Sequence, residues 1–308
     1  MLVAAVFAAF VSIYNSRAAD LIRLATNGNG VLPPGDIPYD LVNRLASEAS
    51  KAARHVLIMC IRALDYCPPV DITFGEYLRA LITADYDIAP DDPHGYRVAF
   101  ISAFRDRGIF PSGVKHLAVD SLLWEAPILP HDDMAAIAGI LDLGWNLNSD
   151  RGAAFKLSKD NARSFHGWLV DKNNSGFVAA LGFRAAKKND EIHGVKGEVR
   201  PIEVHSVRPA RRIGPDGQSR SDIVVEITQS FHPADDPTHR FRGGCTLLID
   251  LLTFKPRYLI RKRLDGSDGV AAQNAFHMAT ADGDTLRANF YPGPTAGREP
   301  FALLHGRH

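Results

Sequence analysis

The spacing of apolar residues shifts from a helical to a strand period along this chain, and that shift limits the folds open to it. Through about residue 170 the apolar side chains recur at three- and four-residue intervals, apart from an apolar but ambiguous segment at Val114–Pro130, and after Gly194 they recur at every second position. The first period is that of a helix with one buried face, and the second that of a half-buried strand. Helices followed by strands, rather than alternating with them, predict an α+β chain with an N-terminal all-α lobe and a later antiparallel sheet.

The sharpest local signals lie between Asp71 and Pro111. Thr73 and Glu76 have the T-x-x-E spacing of a capping box, with Ile72 and Tyr77 as its staple. Phe74, Leu78, Leu81 and Ile82 then trace one apolar face, so the spacing predicts a helix ending near Tyr86. Asp92-Pro93 reads as a cap followed by proline at the first helical position, which starts a second helix at Pro93. Phe100, Ala103 and Phe104 give that helix its stripe, and Gly108 its left-handed stop.

The run Thr73-Phe74 with Leu78-Arg79-Ala80, the acidic linker, Ala99-Phe100, Ala103-Phe104 and Gly108-Ile109 resembles the end of the C-terminal helical lobe of thermolysin-like (gluzincin) zinc metallopeptidases. The resemblance covers roughly residues 1–111. It implies a domain of that kind over 1–111 and leaves 112–308 as an α+β domain of no recognised family, with the boundary at Ser112-Gly113. In a complete family member the H-E-x-x-H helix, the downstream glutamate ligand and the histidine that assists the transition state all precede this lobe. None of them is in this chain, and none of its 12 histidines stands four residues from another. What is implied is part of a metalloendopeptidase, a hydrolase, whose zinc belongs to the complete family member and which is inactive alone. The helix at Met1 would follow directly on the active-site histidine, so an upstream half is expected to be lost, separately encoded or left out by a misplaced start codon. The partners expected are an upstream polypeptide carrying the zinc site, or a second copy through the N-terminal helix. The alternative reading is a non-enzymatic interaction or scaffold module, and a third is an enzyme whose site lies in 112–308.

The N-terminal run MLVAAVFAAFVSIY has no basic n-region and no small-residue cleavage site, and it is too short to span a bilayer before Asn15, Ser16 and Arg17. It reads as a buried helix apolar on every side, with no membrane partner. A second long helix, about 38–66, carries the stripe Leu41, Leu45, Ala49, Ala52, Val56, Cys60 and Leu64. Lys plus Arg and Asp plus Glu are both 35, so no global field favours nucleic acid or an anionic membrane. The three cysteines, Cys60, Cys67 and Cys245, do not make a disulfide framework. On one helix Cys60 and Cys67 would stand about 10 Å apart along the axis, too far to bridge. Buried thiols in a reducing cytoplasm are expected.

Helices are predicted over 131–143 and 150–170, and strands over Pro201–Val207, Asp222–Gln229, Cys245–Leu252 and Arg257–Leu264. The connection RPARRIGPDGQSRSD reads as a mobile hairpin loop. This gives an antiparallel sheet of about four strands.

No catalytic, cofactor-binding or metal-binding residue is identified in the sequence. His232, His239 and Cys245, with Asp235 and Asp236, are ligand types at a spacing that matches no compact zinc module, and read as a polar loop. Asp85, Asp87, Asp91 and Asp92 crowd one linker without the EF-hand pattern and read as solvated turn and cap residues. Arg208, Arg211 and Arg212, and Arg257, Arg261, Lys262 and Arg263, form two basic clusters. Such clusters suit nucleic acid or an acidic partner, and a charged edge strand explains the second equally well.

Overall fold

A computed structural model describes residues 1–32, 34–145, 150–213, 219–235, 240–266 and 269–281. They form an α+β protein, helices first and then a six-stranded sheet, in two compact units.

The helical unit holds α1 (Leu2–Ala25), α2 (Tyr39–Ala63), α3 (Phe74–Tyr86), α4 (Tyr96–Arg105) and the single turn α5 (Val119–Leu122). α1 lies against α2 and α4, α2 against α3, and α3 against α4 and α5, so the four long helices close a ring. Ala5, Ala9 and Ile13 of α1, Ala52, Val56 and Met59 of α2, Leu78, Leu81 and Ile82 of α3, and Phe100 and Phe104 of α4 fill its centre.

α3 has the ends its sequence predicts. The Thr73 hydroxyl accepts from the Glu76 amide at 3.2 Å, and the Glu76 carboxylate accepts from the Thr73 amide at 2.7 Å. Such a box contributes about 1 kcal/mol. α4 starts three residues later than expected. Gly95 takes a left-handed conformation (φ 65°), which breaks the helix after Pro93, and Asp92 caps from further back by accepting from the amides of Tyr96 (2.8 Å) and Arg97 (2.9 Å). At the far end Gly108 is left-handed (φ 67°), and the Ile109 amide returns to the Phe104 carbonyl at 3.0 Å.

The expectation that α1 is buried all round does not hold. Only Ala5, Ala9, Ile13 and Ala18, spaced four or five apart, are covered, because only that seam has neighbouring helices. Met1, Val3 and Phe7 are 71%, 81% and 63% exposed. α1 is also long and apolar enough to cross a membrane by length and composition, a test that core helices and signal sequences pass too. On α2 the stripe slips by a residue: Met59 and Ala63 are buried while Leu57, Ile61 and Leu64 face outward.

The helical unit does not stop at Pro111 but runs to Glu125. Arg79 of α3 donates to the carbonyls of Leu122 (3.2 Å) and Leu123 (3.0 Å) and lies 3.8 Å over the Trp124 ring. Trp124 in turn donates through its indole to the Tyr66 carbonyl at 3.0 Å. These bonds hold the irregular, apolar 114–125 stretch onto α3.

In the second unit α6 (His131–Ile140), α7 (Arg151–Leu169) and α8 (Ser175–Ala180) cover one face of the sheet. Asp150 caps α7 with its side chain on the amides of Gly152 and Ala153. The strands are β1 (Lys187–Ile192), β2 (Val195–Val199), β3 (Glu203–Ile213), β4 (Ser219–Pro233), β5 (Phe241–Asp250) and β6 (Pro256–Lys262), in the order β1-β2-β4-β5-β6 with β3 beside β4. Met134, Ile137, Phe165, Leu169 and Phe177 meet Ile223, Val225, Ile227, Cys245 and Leu247 in the main core. A smaller core joins Ile192, Val199, Phe231, Phe241 and Leu264 to Val270 of α9 (Val270–Ala281).

Two strands escaped the sequence reading. β1 and β2 are short and charged, and what marks them is the His193-Gly194 turn with both φ positive (50° and 79°), the backbone a two-residue hairpin requires. The expected mobile loop after Val207 is also mostly strand: β3 continues to Ile213 and β4 begins at Ser219, while 214–218 lie outside the described residues. Its polar residues are bonded rather than free. Arg208 donates to Glu226 at 3.4 Å, and Arg211 to the Ser219 hydroxyl at 3.0 Å.

Candidate functional site

A polar arrangement to which each of the four long helices contributes lies inside the helical ring. Asp85, in the last turn of α3, is 5% exposed. One of its oxygens accepts from Arg97 of α4 at 2.8 Å, and the other meets Nε2 of His55 of α2 at 3.1 Å. The His55 ring stacks on Tyr96 with centroids 4.1 Å apart. The Tyr96 hydroxyl accepts from Arg17 of α1 at 3.3 Å, and Arg17 pairs with Glu48 of α2 at 2.6 Å.

Arg97 is the hub. Besides Asp85, its guanidinium donates to the carbonyls of Ala89 and Pro90, both at 2.7 Å, so one planar fork gathers the whole α3–α4 connection. The reading of Asp85 as a solvated linker residue is therefore corrected. Burial makes its charge costly, and a buried cation placed to meet it offsets that cost. Asp87 and Asp92 are committed as well, one accepting from the Tyr66 hydroxyl and the other capping α4. The linker carboxylates turn toward different donors instead of converging on a cation.

Neighbouring charges tune the rim of this cluster. Bonds from Lys51 and then Arg17 hold the Glu48 carboxyl below its ordinary range. Burial pulls the Arg17 guanidinium down, but its bonds to Glu48 and Tyr96 outweigh that and leave it raised. Burial pushes the Tyr96 phenol up, against the nearby Arg17. The His55 side chain is 35% exposed, and its other ring nitrogen has no hydrogen-bond partner among the described residues. A carboxylate-oriented imidazole of this kind can pass a proton or bind a donor, yet no hydroxyl or thiol is bonded to it as a nucleophile.

A second polar feature is a cleft of about 780 Å³ where β1 and β2 meet the end of β4, lined by residues that include Lys187, Lys188, Lys196, Glu198 and His232. Burial, then Arg240 and Arg200, hold the His232 imidazole below its ordinary value. Charges of both signs alternate across it, as on a solvated sheet face.

Of the candidate metal ligands, Cys245 and His232 stand apart. Cys245 sits in mid-strand opposite Ile227, wholly buried in the apolar core, where burial pushes its thiol up. His232 is five residues further along β4, about 17 Å at ordinary strand rise. His239 and Asp236 lie outside the described residues. No cluster of three His, Cys, Asp or Glu able to hold a metal is found among the described residues. The basic clusters are spoken for: Arg208 by Glu226, Arg257 by Asp222, Arg261 by the Ala180 carbonyl and Lys262 by the Asp71 carbonyl.

His55 and Arg97 were the residues missed in the sequence. Their only signal is position, each falling beside the apolar stripe of its helix, His55 next to Val56 and Arg97 one turn before Phe100–Ile101. No family model matches this chain, and neither a curated protein nor a solved structure matches it.

Proposed function

We propose that this chain works as the C-terminal helical portion of a gluzincin-like zinc metallopeptidase, without peptidase activity alone, and that its helical unit docks against a polypeptide carrying the zinc site. The observation that supports this is the outward face of α1. Met1, Val3 and Phe7 stand in solvent beside a seam of alanines that packs inward, and an apolar face of this kind on a compact unit marks a contact surface. The polar ring centre at Asp85, Arg97 and His55 serves the reading as a rigid internal frame rather than as the chemistry.

Two measurements test it. The purified chain is expected to carry no stoichiometric zinc by elemental analysis and to cleave no peptide; about one zinc per chain with chelator-sensitive proteolysis would sink the proposal. The chain is also expected to bind a hydrophobic dye or self-associate. Co-expression with a polypeptide bearing an H-E-x-x-H helix, encoded next to it, should suppress both. Phe7→Glu should reduce dye binding without unfolding, because Phe7 touches solvent. A monodisperse monomer with no dye binding would favour the scaffold reading instead.

A further inference from the structure

The outer end of the β3–β4 hairpin, residues 211–221, belongs with the helical unit. Arg212 is the reason on the first strand. Its side chain is 3% exposed, pairs with Asp65 at 3.3 Å and places its guanidinium 4.9 Å over the Tyr66 ring. The carbonyl of the next residue, Ile213, accepts from Arg62 of α2 at 2.8 Å. On the return strand Arg220 donates to the Asp87 carbonyl at 3.0 Å, and the Asp87 carboxylate holds the Tyr66 hydroxyl. Tyr66 is fully buried, so its ring, its hydroxyl and the carboxylate beside it form a fixed floor.

A flat aromatic face beside a carboxylate is the chemistry that selects a guanidinium over an ammonium. The planar cation stacks and hydrogen-bonds at its edge, and it gives up its water more readily. We propose that Tyr66 and Asp65 form a guanidinium socket, filled by Arg212, and that filling it is what clasps the hairpin end onto the helical unit, with Arg220 as the second, weaker tie. The clasp is a conformational device independent of any peptidase role. Emptying the socket frees the strand ends and uncovers a site that takes guanidinium-bearing ligands.

Limited trypsin digestion of the full chain, followed by mass spectrometry, tests this. Cleavage after Arg211 and Arg220 reports on the clasp, and cleavage after Arg163, on α7, reports on global unfolding. Arg212→Ala is expected to raise the ratio of clasp cuts to the Arg163 cut about tenfold, since strand ends open locally once their anchor is lost. Arg212→Lys should behave nearly as Arg212→Ala. Millimolar methylguanidinium should slow the clasp cuts in the alanine variant, and methylammonium should not. If Arg212→Ala unfolds the chain, Asp65→Asn, which keeps the shape and removes the charge, is expected to raise the same ratio by a smaller factor. An unchanged ratio in both variants, full recovery by lysine, or equal protection by the two small cations would each overturn the proposal.

Discussion

Replacing Arg97 with alanine is expected to cost the helical unit about 3–5 kcal/mol, the loss seen when one partner of a buried ion pair is removed. The size follows from what is left behind. Asp85 keeps only the half-exposed His55, and the carbonyls of Ala89 and Pro90 lose their donor. With both groups of the pair about 5% exposed, water does not reach them without the helices parting. Arg97→Lys should recover only part of the loss, because one ammonium cannot span a carboxylate and two carbonyls as a planar fork does. Denaturant midpoints of the wild type, both single variants and the Arg97→Ala/Asp85→Ala double variant would check this. The double variant should be more stable than the sum of the single losses, since the orphaned charge is gone. A loss below about 1 kcal/mol for Arg97→Ala would mean that the pair behaves as a solvated one.

That cluster also marks the limit of what the sequence made legible. The capping box at Thr73 and Glu76, the Gly108 stop and the Asp150 cap act within a few residues, so their residue types point to their roles. The α+β class follows from the change of period, and β4 and β5 fall where the two-residue period placed strands. The ring centre is different. Arg17, Glu48, His55, Asp85 and Arg97 are spread over about 80 positions, and nothing local distinguishes Asp85 from the solvated Asp91. Only the packing of four helices decides which carboxylate is buried.

The exposed side of α1 was misread for a related reason. An all-apolar run says that a helix has no polar face, but not how many neighbours it meets. The arginine-rich connection after Val207 was misread because its Pro, Gly and Ser content resembles a loop, while the ties that make it strand, from Arg212 to Asp65 and from Arg220 to the Asp87 carbonyl, span more than a hundred residues. Long-range partners of this kind leave no mark on composition.

Gly75→Ala and Gly167→Ala are the same substitution in two helices, and they are expected to have opposite signs. Gly75 lies in the first turn of α3, where a β-carbon would stand 2.5 Å from the Pro111 α-carbon and 2.6 Å from the Phe110 carbonyl oxygen. Both obstacles are backbone, so relief requires moving the 110–111 segment away from the helix rather than turning a side chain. Gly167, near the end of α7, has nothing beyond its own helix backbone within 4 Å of such a position, and it sits on the exposed side. There alanine only removes the backbone freedom that glycine carries into the unfolded chain, which stabilises by about 0.4–1 kcal/mol. At Gly75 the same gain is outweighed by overpacking, which typically costs about 1–3 kcal/mol and more when the neighbour is main chain. The affected contact fastens the last segment of the Asp71–Pro111 helix pair, so Gly75→Ala should also speed proteolysis after Arg107. Thermal denaturation of the two variants decides it. A Gly75→Ala protein as stable as the wild type would mean that the 110–111 segment does not rest on α3, and a destabilised Gly167→Ala would mean that the outer face of α7 is covered.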